Sequence, residues 1–168
     1  MVRGRLHETL DEGTQRALTL ISAPPGAGKT VLLGSWIAAG GPPGPVAWLS
    51  LDPADADRRR FWRAVLEALD RAGAGEAVAA LAAHPQGRAD RLTSALMTAL
   101  DGRDEPVVLV LDDFHEVAEA VHGDLDQILN RPPPALRVVI ATRADPPLRL
   151  GRLRLRDQLN QAETPTAR

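Results

Sequence analysis

This 168-residue chain predicts an α/β fold, a three-layer sandwich with helices on both faces of a mostly parallel sheet. Three observations carry the prediction. Short aliphatic runs alternate with helix-periodic segments, the pattern of strands joined by right-handed helical crossovers. The run Val107-Val108-Leu109-Val110-Leu111 is apolar without interruption, which implies burial on both faces of its sheet. A turn of small residues and prolines, residues 23–28, joins the first aliphatic run to the first helical one, as a strand-to-helix junction requires.

The elements follow in order. Ala17 to Ser22 reads as a short buried strand. Val31 to Ile37 reads as a helix with Leu33, Trp36 and Ile37 on one face. After a turn-rich connector from Gly40 to Pro45, Val46 to Leu51 is a second strand, ended by Asp52-Pro53. Asp57 suits the N-cap of a helix running to about Arg71. Its apolar stripe is Phe61, Val65, Leu66 and Leu69, and Arg58, Arg59, Arg63, Glu67 and Asp70 face outward. Glu76 to Ala83 reads as a short Ala-rich helix, broken by His84 to Gly87. Leu92, Leu96 and Leu100 mark a further helix. Val107 to Leu111 is the third strand, and Val117, Val121, Leu125 and Leu129 make the next helical stripe. Arg131 to Pro134 is a stiff loop before the fourth strand, Leu136 to Ala141. From Leu148 to Arg156 a helix is expected to pack its leucines on the sheet and leave its arginines in water. Trp36, Trp48 and Trp62 are expected as core anchors.

Composition narrows the function classes. Hydrophobic residues at 44% and charged residues at 25% fit one globular domain. Cysteine is absent, which excludes disulfides and thiolate metal sites. The four histidines show no ligand spacing, and a net charge of −2 argues against nucleic-acid binding by the whole surface. No apolar run approaches a membrane span and no signal peptide opens the chain. The expected location is the cytoplasm, with no membrane partner.

Lys29 is the only lysine in a chain whose other nineteen basic residues are arginine. It sits in Ala23-Pro24-Pro25-Gly26-Ala27-Gly28-Lys29-Thr30-Val31, the phosphate-gripping half of a P-loop. A triphosphate needs converging backbone N–H groups, and Gly26 and Gly28 let the chain wrap tightly enough to supply them. The following helix turns its unpaired N–H groups toward the same anion. The compact Lys29 ammonium suits the β- and γ-phosphates better than a planar guanidinium would. The Thr30 hydroxyl is placed to hold Mg²⁺. In the pattern G-x-x-x-x-G-K-[ST], Ala23 stands where the first glycine belongs. The fold class is therefore that of a P-loop NTPase, the expected ligand is a nucleoside triphosphate with Mg²⁺, and residues 23–31 are the expected nucleotide-binding segment.

Such a site also needs an acidic residue at a buried strand end. Asp52 is one candidate, though it reads better as a turn residue before Pro53. Asp112 and Asp113 follow the wholly aliphatic strand and present two carboxylates together. Asp112 is expected to hold the Mg²⁺ shell, and Asp113 to orient or activate the attacking water. Asp113 is shorter than the glutamate often found in that role, which points to slow turnover. Arg143, at the tip of the fourth strand, is expected to sense the γ-phosphate. The catalytic set is thus Lys29, Asp113 and Arg143.

These segments, together with Leu109 to His115 and Ala141 to Leu148, resemble the NTPase domain of MalT-like LuxR-family regulators, which belong to the STAND signalling ATPases. The resemblance runs from about Arg3 to Leu159. It implies a nucleotide switch in which ADP holds an inactive monomer and ATP permits self-association. It also implies a sheet in which the Arg143 strand lies between the P-loop strand and the Asp112 strand. In that family a fifth strand flanks the P-loop strand. Here residues 158–160 lead into a polar stretch, so that strand is expected to be missing or truncated, leaving an unprotected edge. The domain is expected to span residues 1–160, with 161–168 a disordered tail. The family's DNA-binding parts have no counterpart in these residues, so DNA contact is expected only through domains outside this chain, which looks like an isolated module or fragment. Two rivals stand beside the switch: a small P-loop kinase, and an interaction module that has lost nucleotide affinity.

Overall fold

The computed structural model describes residues 2–74 and 88–163. Its helices are α1 (Val2–Gly13), α2 (Lys29–Ala38), α3 (Arg58–Arg71), α4 (Ala89–Asp101), α5 (Glu119–Asn130) and α6 (Leu150–Leu155). Its strands are β1 (Leu18–Ser22), β2 (Val46–Ser50), β3 (Val107–Asp112), β4 (Leu136–Thr142) and β5 (Leu159–Glu163). Two short 3₁₀ turns, Pro53–Ala56 and Phe114–Glu116, follow β2 and β3. The helix expected over residues 76–83 and the tail after 163 lie outside the described residues.

The sheet has five strands in the order β2-β3-β4-β1-β5, and every neighbouring pair is parallel. The Arg143 strand does lie between the P-loop strand and the Asp112 strand. The missing or truncated fifth strand is overturned. β5 pairs with β1 from Leu18↔Leu159 to Ser22↔Glu163, so β1 is not an edge. β5 also runs through Glu163, past the boundary expected at residue 160. Its polar sequence hid it, because an edge strand needs backbone pairing and little apolar surface. Among its described side chains only Ala162 is buried.

Helices cover both faces, as the uninterrupted β3 run requires. Val107, Leu109 and Leu111 pack with α3, α4, α5 and α6. Val108 and Val110 point the other way, into a second cluster with Leu10 of α1 and Leu32, Leu33 and Trp36 of α2. The period of two along a strand produces this split. α1 went unread in the sequence because Gly4 and Gly13 dilute a stripe of only Leu6 and Leu10. It is held by Trp36 Nε1, which donates to Asp11 Oδ1 at 2.8 Å, and by a 3.0 Å contact between His7 Nε2 and Ser35 Oγ.

α3 begins where its cap predicts, with Asp57 Oδ1 accepting from the Arg60 N–H at 2.7 Å. Phe61, Trp62, Val65, Leu66 and Leu69 are all buried. Arg58 departs from its expected outward orientation. Its guanidinium grips Asp124 of α5 at 2.7 and 2.5 Å and Asp90 of α4 at 2.5 Å. Trp62 Nε1 donates to the same Asp124 carboxylate at 2.6 Å. Asp124 is buried, so this fork ties three helices at a point where an unpaired carboxylate would be costly. The pairing with Asp124, above all, raises the Arg58 pKa beyond its ordinary value. Of the three tryptophans, Trp36 and Trp62 are fully buried. Trp48 is only half-buried and donates to Ser50 Oγ at 2.9 Å. In α6, Leu150 and Leu153 pack on the core, but Leu155 is 90% exposed rather than buried with them.

Candidate functional site

Because β1, β3 and β4 are adjacent and parallel, their carboxyl-terminal ends lie side by side. That edge is where open α/β sheets place ligands. β1 leads into residues 23–28, β3 ends at Asp112 and Asp113, and β4 ends at Thr142 and Arg143. The Ala23 N–H donates to the Thr142 carbonyl at 3.2 Å, tying the start of the loop to the tip of β4. Sequence reasoning gave Thr142 no part in the site, since a main-chain acceptor leaves no mark on residue type.

The loop's shape depends on its two glycines. Gly26 and Gly28 both adopt φ 77°, in the left-handed region. A Cβ at either would meet no heavy atom within 4 Å. The need is therefore for the backbone angle and not for space. Gly28 is the N-cap of α2, and the first helical bond runs from the Leu32 N–H to the Gly28 carbonyl at 2.8 Å. The N–H groups of the first turn have no partner within the helix and remain for an anion.

A cleft of about 250 Å³ opens in front of this turn. One wall is Pro25, Gly26, Gly28 and the segment Lys29, Thr30 and Val31; the other is Asp113 and Arg143. Ala23, Pro24 and Ala27 do not line it. Ala23 and Pro24 instead supply the carbonyls that hold Lys29, whose Nζ donates to them at 2.5 and 3.1 Å. The side chain is 7% exposed, so its ammonium is folded against the loop. Ala27 closes the turn by donating from its N–H to the Pro24 carbonyl at 3.2 Å.

Thr30 Oγ1 donates to Asp112 Oδ2 at 2.7 Å, joining the P-loop helix to the end of β3. Asp112 is 2% exposed, and its other oxygen accepts from the Asp113 N–H at 3.0 Å. The pair offers hard oxygen donors of the kind Mg²⁺ takes, alongside phosphate oxygens and water. Among the described residues no group of three or more acidic, His or Cys side chains forms a closed metal cage. Asp113 has φ 56° and ψ 41°, a left-handed conformation that aspartate tolerates better than most residues. It starts the 3₁₀ turn Phe114–Glu116 but makes no capping hydrogen bond with its side chain, which leaves the carboxylate for the cleft. Asp52 is occupied otherwise. It caps the turn Pro53–Ala56, with Oδ1 accepting from the Ala54 N–H at 2.7 Å and its own N–H donating to Asp55 Oδ2 at 2.9 Å.

The chain is similar to proteins of known role. It is 34% identical over 163 residues to the HTH-type transcriptional regulator MalT of Yersinia pestis (strain Pestoides F), covering 95% of this chain. It is 32% identical over 168 residues to MalT of Serratia proteamaculans (strain 568), covering 98%. The chain spans only 18% of the length of each. Among solved structures, a STAND protein with a tetratricopeptide-repeat sensor from Pyrococcus horikoshii superposes with a TM-score of 0.67 at 14% identity, over 100% of this chain and 23% of that one. Cdc6p from Pyrobaculum aerophilum superposes at 0.61 with 17% identity, over 96% of this chain and 45% of that one. At such identities these two show the fold alone. Residues 2–141, from α1 into β4, match the family model described as the AAA ATPase domain, and the chain belongs to that family.

Proposed function

We propose that this chain is the ATP-binding switch module of a MalT-type regulator and hydrolyses ATP slowly. The observation that carries the reading is the single cleft that Lys29, Thr30, Asp113 and Arg143 share, with Asp112 hydrogen-bonded beneath Thr30. Similarity to MalT along nearly the whole chain supports the regulatory setting. Lys29 would leave the Ala23 and Pro24 carbonyls for the β- and γ-phosphates, exchanging neutral acceptors for charged ones. Thr30 and Asp112 would hold Mg²⁺, whose role is to neutralise charge between those phosphates. Asp113 would accept a hydrogen bond from the attacking water, and Arg143 would register whether the γ-phosphate is present.

The switch follows from where these groups sit. They come from three different strand ends, so the γ-phosphate would bridge segments that the Ala23–Thr142 and Thr30–Asp112 bonds also join. Self-association in the ATP state and DNA contact through domains outside this chain complete the proposal. Among the described residues no helix is long and apolar enough to cross a membrane.

Calorimetry with ATP–Mg²⁺ on this chain and on Lys29→Ala tests the reading. Binding by the first and its loss in the second is the expected result. Asp113→Asn should keep the affinity and lower the hydrolysis rate by about 10²-fold or more. Absence of binding by the unmodified chain would leave only an interaction module, and phosphoryl transfer to a small acceptor would turn the reading toward a kinase.

A further inference from the structure

Thr142 closes β4 and makes two hydrogen bonds that serve different segments. Its carbonyl accepts from the Ala23 N–H at 3.2 Å, at the start of the loop that leads to Lys29. Its hydroxyl donates to the Ala144 carbonyl at 2.9 Å, across Arg143. The residue is 2% exposed and sits in register with Ser22 of β1. It follows Val139, Ile140 and Ala141, in a buried stretch where valine would fill the same volume as threonine. The hydroxyl is what threonine adds there, and a buried hydroxyl is costly unless it is paired. Its proton goes to one carbonyl, two residues further on.

Arg143 is exposed and lines the cleft with Lys29, Thr30 and Asp113. Among the described residues no hydrogen bond or ion pair fixes its guanidinium. The direction in which the side chain leaves the sheet is therefore set by the main chain around it. Arg143 and Ala144 belong to no strand or helix, so no ladder of backbone bonds sets that direction. The Thr142–Ala144 bond joins the residues on either side of Arg143 and narrows the φ and ψ open to it. Without it, a guanidinium on a long side chain would sweep a wider volume, and more freedom would be lost on holding it against a ligand.

We infer that Thr142 is a positioning residue: its hydroxyl, through the Ala144 carbonyl, aims Arg143 across the cleft toward the wall that Lys29 and Thr30 form. The inference rests on the reading of Arg143 as the γ-phosphate sensor. It adds that the strength of sensing is set one residue earlier in the chain, by a side chain that touches no ligand. The carbonyl of the same residue holds the Ala23 N–H. The turn that carries Arg143 is thereby fixed relative to the start of the P-loop.

Calorimetry on the whole chain, with ADP–Mg²⁺ and with the Mg²⁺ complex of the imido analogue of ATP, whose γ-phosphate is not cleaved, tests this. Arg143→Ala should lower the preference for the triphosphate. Thr142→Val keeps the shape and the carbonyl and removes the hydroxyl. It should lower that preference by about three- to tenfold, the worth of one hydrogen bond, and leave ADP affinity unchanged. Thr142→Ser should keep most of the preference. Adding Thr142→Val to Arg143→Ala should change nothing further, because the hydroxyl acts through the guanidinium. Thr142→Ala removes the hydroxyl without adding a methyl group, and it replaces the valine variant if that one melts lower than the parent. An unchanged preference in the hydroxyl-free variant, beside a lowered one in Arg143→Ala, overturns this inference alone. Equal losses for both nucleotides would make Thr142 a support of the loop, and a further loss in the double variant would make it independent of Arg143; either overturns it. No binding by the unmodified chain, or no effect of Arg143→Ala, overturns the sensor reading and this inference with it.

Discussion

His122 lies on α5 with its ring edge-on to Phe114, ring centres 5.4 Å apart, and its buried Nδ1 has no hydrogen-bond partner among the described residues. Burial pushes its pKa below the ordinary 6.5, opposed by the nearby carboxylates of Asp126 and Glu119. The folded state therefore favours the neutral ring, and the unfolded chain binds the proton more readily. Stability from this residue is whole above 6.5 and is lost as pH falls from there toward the folded value. Thermal unfolding at about pH 7.5 and about pH 5.5 should show a larger drop for this chain than for His122→Gln. Parallel drops in the two chains would remove His122 from the account. The contrast with Lys29 shows what a sequence discloses about single residues. Phosphate chemistry demands an ammonium after a glycine turn, so Lys29 stands out as a candidate from residue type and spacing. The paired Asp112 and Asp113 stand out as candidates in the same way. Arg58 could not be found that way, because helical period fixes where a long side chain starts and not where its guanidinium ends. Leu155 shows the converse, since a leucine in an apolar-looking stripe turned out to face water.

Among the elements, β5 has the largest structural consequence. It covers the outer edge of β1, the strand that feeds the P-loop, through five paired positions from Leu18↔Leu159 to Ser22↔Glu163. Its side chains fasten it to its surroundings, Gln161 accepting from Arg154 and Asn160 donating to the Thr9 carbonyl. A chain truncated after Asp157 would leave the N–H and C=O groups of β1 open on that side, a template for pairing with other chains. Static light scattering should show that truncated chain aggregating at concentrations where the full chain does not. Equal scattering would mean that β1 is protected by something other than β5. The strands around the site were legible for a physical reason. A strand buried on both faces must be aliphatic, as β3 is, whereas an edge strand such as β5 can be Leu-Asn-Gln-Ala-Glu. α1 was hidden likewise, since only Leu6 and Leu10 mark its inner face. The order of the strands never resided in periodicity; it came from the resemblance.

At the scale of the whole molecule, the candidate site sits at the carboxyl-terminal edge of the sheet, where β3, β4 and β1 end side by side. β1, β3 and β4 are paired along their lengths, yet beyond their tips the loops meet through the Ala23–Thr142 and Thr30–Asp112 hydrogen bonds. A ligand that touches Lys29, Thr30, Asp113 and Arg143 at once would add contacts among all three strand ends and bind only the folded chain. Ligand binding of that kind stabilises by mass action, by about 2.7 kcal/mol at a ligand concentration 100 times the Kd. For a domain of this size about 2–4 °C accompanies each kcal/mol, so saturating ATP–Mg²⁺ should raise the Tm by about 5–10 °C. The shift should vanish in Lys29→Ala and shrink when Mg²⁺ is withheld, because Thr30 and Asp112 then lose the cation between them and the phosphates. Arg143→Ala gives the finer test. If Arg143 reads the γ-phosphate, that variant should lose part of the shift produced by ATP and keep the shift produced by ADP. Equal losses with both nucleotides would assign Arg143 to general phosphate attraction and remove it as the sensor of the switch.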